Sequence, residues 1–179
     1  MITVYTDGSS SLKTGWCGWA AIARYNGLET RVCGWARETN QFAELYAIVY
    51  VLRRLPKHEE AEIISDSQYA IRSLTDWRRR WERNGFRNAE GREVCHADLI
   101  KEGHRLIDGF DSLSFRHVRG HQGNEGNEAA DCLAVGARKC GESTGGTFKL
   151  SPAGATAAML DGVDVDTGIR YEKVKKEKL

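Results

Sequence analysis

The sequence predicts an α/β fold: a five-stranded mixed sheet, with three antiparallel strands followed by two parallel ones, flanked by helices. Two observations predict it. Residues 1–36 read as three strands separated by turn-forming residues, and the segments after them alternate helix, strand, helix, strand, helix. A right-handed crossover would then set the strand that ends at Asp66 parallel to the first strand, so that both end at the same edge of the sheet.

The N-terminal strands are bounded by turn signals. The first strand, Ile2–Thr6, is predicted to end at Asp7, where residues that tolerate turn geometry run on to Ser11. Farther along, Asn26-Gly27 is the dipeptide typical of a tight hairpin. These signals predict an antiparallel meander of three strands.

The first helix is predicted over Gln41–Arg54, because apolar residues recur there on one face at helical spacing. Thr39 or Asn40 can cap its start, and Pro56 ends it. A strand at Ala61–Ser65 and a helix at Ser67–Leu74 are predicted next. The basic and aromatic stretch that follows Leu74 is predicted to be helical up to Arg83. The last predicted elements are a helix at 96–108, a strand at Ser112–Val118, a loop at Gly120–Gly126 and a helix at Asn127–Arg138.

Length and composition fit one domain with an appendage. The chain has 179 residues, and we predict a folded domain over 1–140 and an extension over 141–179 that is linker-like and then basic. It contains no apolar run of about 18 residues, so we expect no membrane span. The first strand leaves no space for a signal peptide, and the five cysteines show no CxxC spacing. We therefore expect reduced thiols and a cytoplasmic protein, and we also expect a monomer.

Four carboxylates hold the main functional information. Asp7, Glu44, Asp66 and Asp131 each lie where a strand is predicted to end or on a helix expected to face such an end. Gathering four negative charges costs free energy unless cations neutralise them, and carboxylate oxygens are the ligands that Mg2+ prefers. The set therefore predicts a metal-dependent site, although each acid alone could be a solvated turn or helix residue.

A local basic stripe points to nucleic acid, although the net charge is only +1. Six arginines lie within Arg72–Arg87, and Trp77, Trp81 and Phe86 are interleaved with them. Arginines attract backbone phosphates, and flat rings pack against sugars or bases. The alternative is that the tryptophans are core anchors and the arginines form a solvated face.

Five short segments occur in a characteristic order along the chain. They are Thr6–Ser9, Thr39–Leu45, Ser65–Tyr69, Val118–His121 and Gly126–Asp131. Together they closely resemble the motifs of the type-1 ribonuclease H family, over about residues 1–140. The resemblance implies the ribonuclease H-like fold and makes residues 1–140 a catalytic domain.

The resemblance also implies an activity. It implies an endoribonuclease that hydrolyses the RNA strand of RNA–DNA hybrids with two Mg2+ ions, or Mn2+ as a substitute, and leaves 5′-phosphate and 3′-hydroxyl ends. Asp7 would bridge the ions, Asp66 and Asp131 would complete one site, and Glu44 would complete the other near the 2′-hydroxyl. His121 would assist proton transfer or product departure.

Substrate contacts follow from the same resemblance. Arg37 and Thr39 would grip a DNA phosphate, and Asn40 and Gln41 would contact minor-groove edges; plain N-capping is the alternative for Thr39 and Asn40. The remaining substrate contacts that we predict are Ser67, Gln68, Tyr69, Trp77 and Trp81.

Two departures from the family pattern stand out. His96 occupies a position where some members place an Asn in the phosphate pocket, and the loop Ser10–Trp16 lacks the Gly/Pro-rich composition of many members. Both contacts are therefore expected to differ. The tail beyond Cys140 has no recognisable motif; it could dock on the domain or add nucleic-acid affinity through its lysines.

Two other functions remain open at the level of sequence. A DNA-strand-transfer or exonuclease module of the same superfamily would share the clustered acids, but Asn40-Gln41 and the tryptophan-bearing stretch argue against it. A non-catalytic hybrid-binding module is disfavoured because all four acids are present.

Overall fold

The computed structural model describes residues 1–144 and 170–175. Its strands are β1 (Ile2–Ser10), β2 (Cys17–Tyr25), β3 (Leu28–Ala36), β4 (Ala61–Ser65), β5 (Leu113–His117) and β6 (Arg170–Lys175). Its helices are α1 (Asn40–Leu52), α2 (Gln68–Leu74), α3 (Arg78–Asn84), α4 (Ala97–Ile107) and α5 (Glu125–Thr144). None of these helices is both long enough and apolar enough to cross a membrane.

The sheet has the strand order β5-β4-β1-β2-β3-β6. β1, β2 and β3 form an antiparallel meander, and β1, β4 and β5 run parallel to one another. This confirms the predicted five-stranded mixed sheet. The sixth strand was not predicted: β6 lies within the basic end of the chain and pairs antiparallel with β3, from Leu28 opposite Lys175 to Cys33 opposite Arg170.

The predicted end of the first strand was wrong. Parallel pairing between β1 and β4 stops at Thr6 opposite Ser65, but antiparallel pairing with β2 continues from Asp7 opposite Ala20 to Ser10. The turn therefore comes after Ser10, because hydrogen bonds to β2 hold the polar stretch in the sheet. Asp7 accordingly lies inside β1, directly after the last residue of β1 that pairs with β4.

Helices cover both faces of the sheet. Trp19 and Ala20 are adjacent in β2, so their side chains point to opposite faces. Trp19 packs in the large core cluster with the buried side of α1, whereas Ala20 packs with Ala134 and Ala137 of α5. A Cβ atom on Gly18 would lie 2.2 Å from the Ala134 carbonyl oxygen. The absence of a side chain at Gly18 thus lets α5 lie directly on the sheet.

The helix ends refine two predictions. The Thr39 hydroxyl accepts a hydrogen bond from the Phe42 N–H at 3.1 Å, so Thr39 is the cap of α1 and Asn40 is its first residue. α5 continues to Thr144, well past the predicted end at Arg138. The predicted linker is therefore helical over residues 141–144, and its remainder, 145–147, lies outside the described residues.

Candidate functional site

The four acids come from four elements that meet at one edge of the sheet. Asp7 lies in β1 with 5% of its surface exposed, and Asp66 directly follows β4. Glu44 lies on α1, which packs against β1. Asp131 lies on α5 on the other face. The fold therefore brings together all four of the carboxylates that the sequence singled out.

Two glycines make this approach possible. A Cβ atom on Gly8 would lie 2.6 Å from the backbone nitrogen of Glu44, and one on Gly120 would lie 2.7 Å from Asp66 Oδ2. Real Cβ atoms do not approach other atoms so closely. Gly8 thus sets the distance between α1 and β1, and Gly120 lets the following loop pass beside Asp66.

Hydrogen bonds fix the orientation of Glu44 and Asp7. Asn40 Nδ2 donates to Glu44 Oε1 at 2.7 Å, and the Ser67 hydroxyl donates to Glu44 Oε2. The Gly8 N–H donates to Asp7 Oδ1 at 2.6 Å. Asn40 and Ser67, both predicted to contact substrate, therefore also hold a catalytic candidate in place.

Asn127 is a residue that the sequence reasoning missed. Its Nδ2 donates to Asp66 Oδ2 at 3.3 Å, and only 2% of the residue is exposed. Its Oδ1 has no hydrogen-bond partner in the described part of the chain. Its place four residues before Asp131, on the same helix face, is visible in the sequence, but its burial and its contact with Asp66 are not.

The electrostatics of the site favour a neutral or neutralised Asp7. Burial raises the pKa of Asp7 to about 8, with further contributions from the charges of Asp66, Asp131 and Glu44, and the Gly8 N–H opposes the shift. Burial also raises the pKa of Glu44, while the hydrogen bonds from Ser67 and Asn40 oppose that change. Burial and the neighbouring negative charges therefore both disfavour an ionised Asp7, and a cation bound beside it would offset that cost.

The arrangement as it stands is not a closed metal cage. Within residues 1–144, no group of three or more His, Cys, Asp or Glu side chains is placed so that it could hold a metal ion. The chemistry of the donors nevertheless fits a hard divalent cation, because all four are carboxylates and Asp7 is buried beside three like charges.

His121 lies at the rim of the site. Its side chain is 82% exposed, and its Nδ1 is 4.0 Å from Asp131 Oδ2. Its backbone has φ 55°, in the left-handed region that non-glycine residues seldom adopt. His121 is thus next to a catalytic candidate and free to reach solvent.

A cleft of about 470 Å3 lies between the start of α1 and the turn that follows β1. It is lined by Arg37, Thr39, Asn40 and Gln41, all predicted substrate contacts. Thr39 Oγ1 is 3.2 Å from His96 Nε2, so the histidine that departs from the family pattern adjoins this group.

The aromatic residues divide into surface and core. The ring centre of Trp77 is 5.9 Å from that of Tyr69 and 5.3 Å from that of Trp81. Trp81 is 9% exposed and belongs to the core, whereas Trp77 is half-buried. Gln68, another predicted substrate contact, is exposed. In the basic stripe, Arg78 forms ion pairs with Asp108 and Glu82. The core alternative therefore applies to Trp81, and Tyr69 with Trp77 forms the accessible part.

Known proteins match most of the chain. The RNase H family model matches residues 1–139. The chain belongs to the ribonuclease H family. Two curated relatives are named ribonuclease H: that of Polynucleobacter asymbioticus is 36% identical over 134 residues, covering 74% of this chain and 86% of the relative. That of Francisella philomiragia is 36% identical over 140 residues, covering 74% and 88%.

Solved structures agree on the family fold. LC9-RNase H1, described as a type 1 RNase H with the type 2 active-site motif, superposes with a TM-score of 0.68 at 24% identity, covering 78% of this chain and 72% of its own. A foamy viral protease-reverse transcriptase in complex with an RNA/DNA hybrid superposes with a TM-score of 0.66 at 21% identity, covering 78% of this chain and 20% of its own. The resemblance to ribonucleases H predicted from the motifs is thus confirmed.

Proposed function

We propose that this protein is an endoribonuclease that hydrolyses the RNA strand of RNA–DNA hybrids with two divalent metal ions. The observation that carries the proposal is the meeting of Asp7, Glu44, Asp66 and Asp131 at one end of the sheet, where burial, together with the charges of the other three acids, raises the pKa of Asp7 to about 8. Relatives that the chain spans nearly in full are named ribonuclease H. A protein of the same fold is seen with an RNA/DNA hybrid, which supports the choice of substrate.

The four carboxylates, Asp7, Glu44, Asp66 and Asp131, would hold two Mg2+ ions, with Mn2+ as a substitute. When bound, the ions would activate the attacking water and stabilise negative charge on the leaving oxygen. In-line attack at phosphorus with loss of the 3′ oxygen leaves 5′-phosphate and 3′-hydroxyl ends.

The protein's own residues prepare the site for this reaction. Asn127 orients Asp66, while Asn40 and Ser67 orient Glu44. Such outer contacts typically change activity by about 10- to 100-fold when they are removed. His121, exposed beside Asp131, would transfer a proton or help the product leave.

The surface beside the carboxylates would select the hybrid. Arg37 and Thr39 would bind a phosphate of the DNA strand, and Gln41, with any free donor of Asn40, would contact the minor groove. Tyr69 and Trp77 would pack against DNA sugars, with Trp81 supporting Trp77 from the core and Gln68 exposed nearby.

A substrate panel tests this proposal. End-labelled RNA–DNA hybrid, duplex RNA, single-stranded RNA and single-stranded DNA are each incubated with the protein, with and without Mg2+. We expect cleavage of the hybrid alone, and only with Mg2+. Equal degradation of single-stranded DNA would favour a different nuclease of the superfamily, and tight hybrid binding without cleavage would favour a binding module.

We also propose that residues 1–140 form the catalytic domain and that the protein acts as a cytoplasmic monomer. Cys17, Cys95, Cys132 and Cys140 are free thiols, which suits a reducing compartment. Light scattering of the full chain should give the mass of one copy, and a dimer mass would contradict this.

A further inference from the structure

The loop between β1 and β2, residues 11–16, is tied to the last turn of α5. The Thr14 hydroxyl donates to Glu142 Oε1 at 2.7 Å. Arg138 Nη1 donates to the same oxygen at 2.6 Å, and Arg138 Nε donates to Ser9 Oγ at 3.3 Å. Glu142 therefore links Thr14 of the loop to Arg138, which also donates a hydrogen bond to Ser9 near the end of β1.

The same turn of α5 supports the loop through apolar contacts. Trp16 is 7% exposed and packs in a small cluster with Trp35 and Cys140. A Cβ atom on Gly141 would lie 3.1 Å from Trp16 Cε3 and 2.5 Å from Trp35 Cδ1, so only glycine lets both rings close on the helix. Gly141 and Glu142 both lie beyond residues 1–139, which match the family.

Trp16 in turn contacts a residue of the cleft. The guanidinium carbon of Arg37 lies 4.9 Å from the centre of the Trp16 ring, within the range of a cation–π interaction. Arg37 is exposed and lines the cleft together with Ser11, Gly15 and Thr39. The cleft is therefore formed jointly by the loop and by the arginine that stacks on its last residue.

We propose that the last turn of α5 is a positioning element for nucleic-acid binding: Glu142 holds the loop, and Trp16, packed on Gly141, sets the Arg37 guanidinium in the cleft to meet a phosphate. Trp16 and Glu142 are then positioning residues that touch no reacting atom. The assignment to nucleic acid rests on the proposed function.

The loop also has hydrogen bonds of its own. It closes through the Ser11 N–H to the Trp16 carbonyl at 2.9 Å and the Gly15 N–H to the Ser11 carbonyl at 2.8 Å. Anchorage to α5 supplies order that the loop's own residue types do not enforce.

Binding and cleavage of a labelled RNA–DNA hybrid test the proposal. We expect Trp16→Leu to raise the Kd for the hybrid about fivefold and to leave kcat unchanged. The slope of log Kd against log salt concentration should decrease by about 1, as for one lost phosphate contact. Trp16→Phe, which keeps a ring under Arg37, should bind within about twofold of wild type. In a protein that already carries Arg37→Gln, Trp16→Leu should cause no further loss of affinity for the hybrid. An equal loss in both backgrounds, or wild-type affinity of Trp16→Leu, would overturn the proposal.

A second measurement does not depend on substrate. In the protein without nucleic acid, Glu142→Ala should speed amide hydrogen exchange at Ser11 and Gly15 about tenfold. The matched control is Lys139→Ala, exposed on the same stretch of α5, which should leave it unchanged. Unchanged exchange in Glu142→Ala refutes the positioning role. Wild-type protein that neither binds nor cuts the hybrid refutes the proposed function instead, and the exchange rates still decide whether Glu142 holds the loop.

Discussion

Replacing Asp7 with Asn should stabilise the metal-free protein. Asp7 is 5% exposed, and burial together with the neighbouring Asp66, Asp131 and Glu44 raises its pKa from 3.8 to about 8. At about 1.36 kcal/mol per pKa unit, ionising it in the folded protein costs at most about 6 kcal/mol. Side-chain rotation and entering water relieve much of this, and we expect a gain of about 2 kcal/mol for Asp7→Asn at pH 8.

The effect should depend on pH with a definite sign. Because the pKa of Asp7 is higher in the folded than in the unfolded chain, the folded state binds more protons between about pH 4 and pH 8. The free energy of unfolding of the wild type should therefore fall as the pH rises through this window. Asn cannot ionise, so the advantage of Asp7→Asn should be largest near pH 8 and vanish near pH 4.

Urea unfolding followed by circular dichroism, in chelator at several pH values, measures this difference. Asp98→Asn is the matched control, because that carboxylate is fully exposed, and it should change stability by less than about 0.5 kcal/mol. Added Mg2+ should narrow the gap by stabilising the wild type. The raised pKa of Asp7 would be refuted if Asp7→Asn were no more stable than wild type at pH 8. It would also be refuted if the difference in free energy of unfolding between the two proteins did not change with pH.

Three further substitutions, one of them with a matched control, probe the site. Asn127→Ala removes the 3.3 Å hydrogen bond to Asp66 and should lower kcat about 10- to 100-fold with KM nearly unchanged; a wild-type kcat would rule out the orienting role. Gly8→Ala places a Cβ atom 2.6 Å from the α1 backbone and should cost about 2 kcal/mol or more in urea unfolding. Gly136→Ala, which meets no atom within 4 Å, should instead gain about 0.5 kcal/mol; equal effects would contradict this account of Gly8. His121→Ala should lower the rate of hybrid cleavage, in single-turnover or steady-state measurements, about tenfold or more, while the Kd for the hybrid stays the same. A weaker Kd with a normal kcat would contradict a role of His121 in proton transfer or product departure.

The sequence was sufficient for five strands of the sheet and for the gathering of three of the acids. Crossover handedness set β4 parallel to β1, and apolar periodicity located α1, so Asp7, Asp66 and Glu44 could be expected at one edge. These rules act over whole elements and tolerate errors of a few residues at their ends.

Other features depend on particular contacts and could not be predicted. β1 continues past Asp7 because β2 remains paired there, although Gly8–Ser10 has the composition of a turn. β6 was missed because the charged residues of 170–175 gave no apolar pattern, while the open edge of β3 offers backbone partners to any strand. Asn127 could be recognised only once its amide was seen beside Asp66.

The central claim is metal-dependent cleavage of the RNA strand by the four carboxylates. Its most direct test is a hybrid labelled on both strands, incubated with wild type in Mg2+, with wild type in chelator and with Asp7→Asn in Mg2+. We expect that, of these three reactions, only wild type with Mg2+ cuts the RNA strand, leaving 5′-phosphate and 3′-hydroxyl ends, and that the DNA strand stays whole. Cleavage in excess chelator, undiminished cleavage by Asp7→Asn, or cutting of the DNA strand would contradict it.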